Sequence, residues 1–220
     1  MAYPESVLYA PFASVRPPIM SVSSASDAAP ASPVRWAWQP LPPRQPAEPL
    51  ARAWLAAQLG ASAERLPLQR DGRGRPRLQP PWADWDCNWS HSGEALAVAL
   101  GRDVEVGIDL ERLRPRARAL ELAARFFAAE EVAWLHQAPS AAVRDHAFLR
   151  LWCAKEAVLK AHGHGLAFGL HRLRFADGGG ALRLVACDPA LGRPADWRLV
   201  ELRPAPEYLG ALAWRARAGV

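Results

Sequence analysis

Lysine is almost missing from this chain. Of its 27 basic residues, only Lys155 and Lys160 are lysines, and every other cation is arginine. Arginine-rich codon usage with two chance survivors is the bland reading. The sharper one is that these two positions need a compact ammonium that a planar guanidinium cannot replace. Cysteine is scarce too: Cys87, Cys153 and Cys187 are an odd number with no CxxC spacing. That argues against a disulfide framework or a zinc cluster and fits a reduced, cytoplasmic setting. The N-terminus lacks a basic stretch followed by an apolar one, so no signal peptide is read there. No apolar run approaches the roughly 20 residues that cross a bilayer, so a membrane partner is not expected.

What remains suits a folded protein of one large domain or two small ones: 220 residues, 50% hydrophobic and 22% charged. A net charge of +5 and a pI near 9.6 favour anionic partners without choosing among them.

Residues 1–33, with the stretch SVSSASDAAPASP, offer little that could fill a core and read as a poorly ordered arm. The segment 47–59 has helical spacing, with Leu50, Trp54, Leu55 and Leu59 on one face. DGRGRPRL at 71–78 reads as a basic turn entering an extended segment. EALAVAL and VEVGIDLE read as two strands joined by a GRD turn, predicting a hairpin. In the second strand Val104, Val106, Ile108 and Leu110 share one face, leaving Glu105, Gly107, Asp109 and Glu111 on the other. Helical periodicity covers 119–137, and a stronger helix covers about 143–162, ended by Gly163 or Gly165. LHRLRF, ALRLVAC, DWRLVELR and YLGALAWRA read as four strands, with DGGG as a turn. Helices and strands mix without a βαβ rhythm, which predicts an α+β fold.

Chemistry concentrates in four places. Asp109 and Glu111, at i and i+2 of a strand, project from one face and can share a hard cation such as magnesium. A D-x-E pair alone also fits a solvated strand face. Glu156 adds a third carboxylate, flanked by Lys155 and by Lys160 one turn on. An ordinary surface Glu–Lys pair would not explain why the chain's only two lysines stand here. Carboxylates that hold a metal beside ammonium groups that neutralise phosphate oxygens fit a magnesium–pyrophosphate site. Ser90, His91 and Ser92, in NWSHSG, precede a strand and can face an anion. Arg73, Arg75 and Arg77, with Arg44 and Arg52 upstream, can bind a phosphomonoester as a group, although each alone reads as a loop residue.

Together VGIDLE, RFFAAEE and FLRLWCAKEAVLKAHGHGL resemble the signature of the 4′-phosphopantetheinyl transferase superfamily, in its two-lobed, surfactin-synthetase-activating type. GRP at 74–76 and SHS at 90–92 are similar to that family's upstream coenzyme A motifs, and the likeness runs over about 34–216. Arg75 stands where the family often has lysine, and Trp89 stands between Asn88 and Ser90 where an apolar residue is usual.

The resemblance implies two similar α+β lobes in pseudo-twofold arrangement, divided as 34–105 and 106–220, with the metal site in the second and coenzyme A in the cleft between them. It implies a magnesium site of Asp109, Glu111 and Glu156, pyrophosphate contact from Lys160, and a cofactor-contacting Lys155. It also implies that Arg75, Ser90 and His91, with Arg44, hold the 3′-phosphate. Glu131 falls where the family often has an acid near the metal, and with Glu156 is a candidate base. The implied reaction moves phosphopantetheine from coenzyme A to a serine of an apo carrier protein and releases 3′,5′-ADP. A monomer is expected, with 112–118 as a candidate carrier surface. Two other classes are a basic nucleic-acid-binding protein, whose tryptophans should then line a basic stripe, and a coenzyme A-binding module without catalysis.

Overall fold

The computed structural model describes residues 32–217. The arm expected at 1–33 lies almost wholly outside them. Among the described residues ten strands and four α-helices form the fold: β1 (Val34–Pro40), α1 (Ala47–Leu59), β2 (Leu68–Arg70), β3 (Pro76–Leu78), β4 (Trp85–Ser92), β5 (Ala95–Arg102), β6 (Val104–Arg112), α2 (Ala119–Phe126), α3 (Ala129–His136), α4 (Ala141–His162), β7 (Leu173–Asp177), β8 (Leu182–Cys187), β9 (Arg198–Leu202) and β10 (Tyr208–Ala216). The class is α+β, as predicted.

Two three-stranded antiparallel sheets form the centre, in the orders β1-β5-β4 and β6-β10-β9. Alternation along each strand sets the layers. On β5, Ala95, Ala97 and Ala99 face the second sheet, where Val104, Val106, Ile108 and Leu110 of β6 and Leu212 of β10 meet them. Small residues on one side let the sheets approach closely. The larger Leu96, Val98 and Leu100 of β5 face the other way and pack with Ala51 and Leu55 of α1. On β10, Leu209, Ala211 and Ala213 turn outward into a cluster with Leu151, Ala154 and Val158 of α4. The order of layers is helix, sheet, sheet, helix.

Two expectations need correction. β5 and β6 do not form a hairpin. Asp103, at φ 55, turns the chain so that β6 leaves the first sheet and pairs with β10 instead. The helical stretch 119–137 is two helices. The chain is extended at Phe127, whose ring enters the core against Phe148, and the Glu131 carboxylate accepts a hydrogen bond from the Ala128 N–H to start α3. The tail strands and the long helix form where predicted, and Ser140 caps α4 by accepting from the Val143 N–H. All three cysteines are free, and no helix among the described residues is long and apolar enough to cross a membrane.

Candidate active site

The edge strands β4 and β6 meet without a backbone ladder. The side chains of alternate β4 residues join them instead. Asp86 accepts from the Val106 N–H at 2.8 Å and Asn88 from the Ile108 N–H at 3.0 Å. Ser90 donates to Asp109 at 2.9 Å, and Ser92 accepts from the Arg112 N–H at 3.1 Å. D-x-N-x-S-x-S is thus a strand whose polar face satisfies donors and an acid of its neighbour. The period of two was visible in the sequence, but the strand character of 85–92 was not recognised there.

Helix α4 covers the opposite seam. Its Ala157 carbonyl lies over Gly107, where a β-carbon would stand 2.1 Å away. Any side chain at 107 would lift the helix. This contact brings Glu156 and Lys160 over Asp109. Lys160 donates to Asp109 Oδ1 at 2.6 Å, to Ser90 Oγ at 3.0 Å and to the Ile108 carbonyl at 3.3 Å, and lies 3.9 Å from Glu156 Oε2. Asp109 Oδ2 is buried with no partner. Glu111 accepts from Arg116 at 2.8 Å and Ser92 at 3.2 Å.

Negative charge accumulates here. Burial pushes the Glu156 carboxyl up to about 7, the Asp109 and Glu111 charges push the same way, and Lys160 opposes them. Burial works against the Lys160 ammonium too, but Asp109 and Glu156 outweigh it and raise its pKa. As the side chains lie, no three acid, histidine or cysteine groups among the described residues stand close enough to hold a metal. The orphan Asp109 oxygen and the mutual repulsion of the carboxylates nevertheless fit a cation, and oxygen donors suit magnesium.

A cleft of about 220 Å³ opens beside Lys160, lined by Arg70, Arg73, Arg75, Asn88, Trp89 and the Gly163–Gly165 turn with their neighbours. Arg70 lies over the Trp89 ring. Arg70 was not singled out from sequence, although it is the first member of the arginine series that continues through 73, 75 and 77. Arg75 is buried: it pairs with Asp86 and donates to the Val106 carbonyl at 2.9 Å, while its Nε and Nη1 stay unpartnered.

Other expected site residues are not brought together. Ser90 is turned toward Asp109, whereas His91, the next residue of the strand, is exposed on the other face. Arg44 is exposed at φ 65 and is not among the cleft-lining residues.

Lys155 and Glu131, expected at the cofactor and near the metal, stand in the core. They pair at 2.7 Å with 0% and 1% of their side chains exposed. The Lys155 ammonium also donates to the Leu170 and Leu173 carbonyls and sits over the Phe127 ring. Burial pulls its pKa down, and Glu131 holds it up against that pull. Glu131 accepts from the Ala128 and Phe175 N–H groups at 2.9 and 2.8 Å. In W-x-x-K-E, one helical step separates a lysine facing the core from a glutamate facing the site. Sequence spacing placed both near the chemistry and could not show that turn.

Residues 105–213 match the model of the 4′-phosphopantetheinyl transferase superfamily. The chain is 33% identical over 167 residues to the 4′-phosphopantetheinyl transferase HetI of Nostoc, covering 74% of this chain and 67% of that protein. It is 35% identical over 134 residues to AcpT of Escherichia coli, covering 56% of this chain and 66% of AcpT. A putative 4′-phosphopantetheinyl transferase of Synechocystis is 36% identical over 127 residues, and the chain spans 50% of its length. On sequence likeness carried across the seam that holds Asp109, Glu111, Glu156 and Lys160, the chain belongs to the 4′-phosphopantetheinyl transferase superfamily.

Proposed function

We propose that this protein transfers the phosphopantetheine group of coenzyme A to a serine of an apo carrier protein. The observation that carries this reading is the convergence of Lys160, Asp109 and Glu156 at the edge of an arginine-lined cleft. Names of the relatives, all 4′-phosphopantetheinyl transferases, support it.

In this reading the carrier serine Oγ attacks the pantetheine-side phosphorus, the bond to the nucleotide-side phosphate breaks, and 3′,5′-ADP leaves. Arg70 and Arg73 hold phosphate charge at the cleft wall, and Lys160 offsets charge growing on the leaving phosphate. Glu156 is the carboxylate read as taking the serine proton; burial and its acidic neighbours raise its carboxyl to about 7 in the metal-free chain, and a bound cation would oppose that rise. Glu131, bonded on every side within the core, has no open path to a carrier serine. Asp109, Glu111 and Glu156 are the residues that would hold magnesium. A bound magnesium ion would supply positive charge to the phosphate oxygens.

Carrier docking is placed at a second groove of about 490 Å³, lined by Leu113, Arg114, Pro115, Ala141, Ala142, Asp145, His146 and Leu149. Its apolar floor, with Arg114 and His146 at the edge beside Asp145, suits a helix with an apolar face and acidic flanks. Arg116 ties this wall to the site by donating to Glu111. The two lobes are read as 34–105 and 106–220 in pseudo-twofold fashion, the first contributing α1 and the β1-β5-β4 sheet and the second α4 and the β6-β10-β9 sheet, whose β6 starts two residues before that division. Incubation with coenzyme A, magnesium and a panel of apo carriers, followed by weighing the carriers, tests the assignment. A phosphopantetheine mass gain on at least one carrier is expected, and none on any would refute it.

A further inference from the structure

Ser90 lies in the segment read as a coenzyme A contact, yet its bonds in the folded chain point elsewhere. Its Oγ donates to Asp109 Oδ1 at 2.9 Å and accepts from Lys160 at 3.0 Å. A serine hydroxyl has one proton to give. With that proton directed at Asp109, Ser90 has nothing to donate to a phosphate. Lys160 donates to the same Asp109 oxygen at 2.6 Å, so Oδ1 receives two donors, one of them charged. Oδ2, buried like the rest of the residue at 4% exposure, receives none. The carboxylate is therefore held through Oδ1, while Oδ2 takes no hydrogen bond and the buried Cys153 thiol lies close to the same carboxylate.

The setting makes this orientation stiff. Ser90 is the third of four β4 side chains that grip β6, between Asn88, which holds the Ile108 N–H, and Ser92, which holds the Arg112 N–H. These neighbours fix the height of β4 against β6 on either side of the serine. Ser90 itself is buried at 8% exposure, so water does not compete for its proton.

We infer that Ser90 is a positioning residue: its hydroxyl, with Lys160, pins Asp109 Oδ1 so that Oδ2 is presented as the cation-binding oxygen. This rests on the metal-dependent transferase reading above. It assigns Ser90 to the metal side of the site and not to the 3′-phosphate of the nucleotide.

The test uses the full chain and three variants, Ser90→Ala, Ser90→Cys and Ser90→Thr. Mn2+ binding is measured by the loss of the free-ion EPR signal in the presence of coenzyme A. Coenzyme A and dephospho-coenzyme A affinities are measured by calorimetry without metal, and thermal unfolding confirms folding. The alanine and cysteine variants are expected to bind Mn2+ about tenfold or more weakly, the usual loss when a group orienting a metal ligand is removed. Threonine, which keeps the hydroxyl and suits a strand, is expected to restore most of it. The ratio of coenzyme A to dephospho-coenzyme A affinity should not move. Unchanged Mn2+ affinity in the alanine and cysteine variants would overturn the inference. So would a collapsed coenzyme A to dephospho-coenzyme A ratio, because Ser90 would then contact the 3′-phosphate. If the cysteine variant alone folds, its Mn2+ affinity decides. Carrier modification by the unmodified protein is assayed in parallel. Transfer with no serine effect sinks this inference alone, whereas no transfer to any carrier and no Mn2+ binding sink the transferase reading with it.

Discussion

Gly107 and Ala157 touch backbone to backbone: a β-carbon at 107 would lie 2.1 Å from the Ala157 carbonyl oxygen and 2.4 Å from the Ala161 nitrogen. Neither neighbour is a flexible side-chain end. Gly107→Ala must therefore push α4 away from β6 and carry Glu156 and Lys160 off Asp109. The expected cost is about 1–3 kcal/mol of stability, with a larger fractional loss of transfer than the fraction unfolded explains. Chemical denaturation beside carrier modification checks both.

Lys155 and Glu131 should behave as a buried pair. Lys155→Met leaves Glu131 charged in the core and is expected to cost about 3–5 kcal/mol. Adding Glu131→Gln removes the charge but keeps an oxygen for only one of the Ala128 and Phe175 N–H groups, which bond to different carboxylate oxygens. The double variant should recover only part of the loss, because one buried N–H is left without an acceptor. If it retains transfer, neither residue is a catalytic group, and denaturant midpoints with carrier mass report both results.

Glu156 makes the metal-free protein sensitive to pH in a particular sense. Its pKa rises from 4.5 to about 7 on folding. Between those values the folded protein keeps a proton that the unfolded chain has released. Stability in the presence of EDTA should then fall as pH climbs from 4.5 to 7, by roughly 3 kcal/mol at most. Glu156→Gln should flatten this slope, and magnesium should oppose it. Melting curves across that window provide the measurement.

The arginine wall predicts a binding defect without a fold defect. Arg73 is exposed and lines the cleft, and its side chain makes no ion pair among the described residues. Arg73→Ala should weaken coenzyme A binding several-fold, with the difference shrinking at high salt. Its melting temperature should stay within a degree or two of the parent. Calorimetric titration at two salt concentrations separates the outcomes.

Much of this architecture was legible in the residues. The alternation of Val104, Val106, Ile108 and Leu110 gave β6, and the acids opposite them gave the site's floor. The four tail strands were visible for the same reason. What the sequence concealed was how strands choose partners. β4 joins β6 through Asp86, Asn88, Ser90 and Ser92, and a side-chain seam of that kind leaves no ladder pattern to read. The Phe127 break was hidden because A-A-R-F-F-A-A has good helical spacing, and only core packing of the ring overrides it. Facing was the other blind spot. Lys155 and Glu156 are neighbours in sequence, yet one turns into the core and the other into the site, and His91 and Ser90 divide in the same way across a strand.

The proposed function requires Asp109, Glu111 and Glu156 to share one cation beside the cofactor's pyrophosphate. Crystals grown with coenzyme A and Mn2+ test it through anomalous scattering from the metal. One peak bound by the oxygens of these three residues, next to the pyrophosphate, is the predicted result. A metal peak bound elsewhere, or coenzyme A seated away from Lys160 with these carboxylates metal-free, would contradict it.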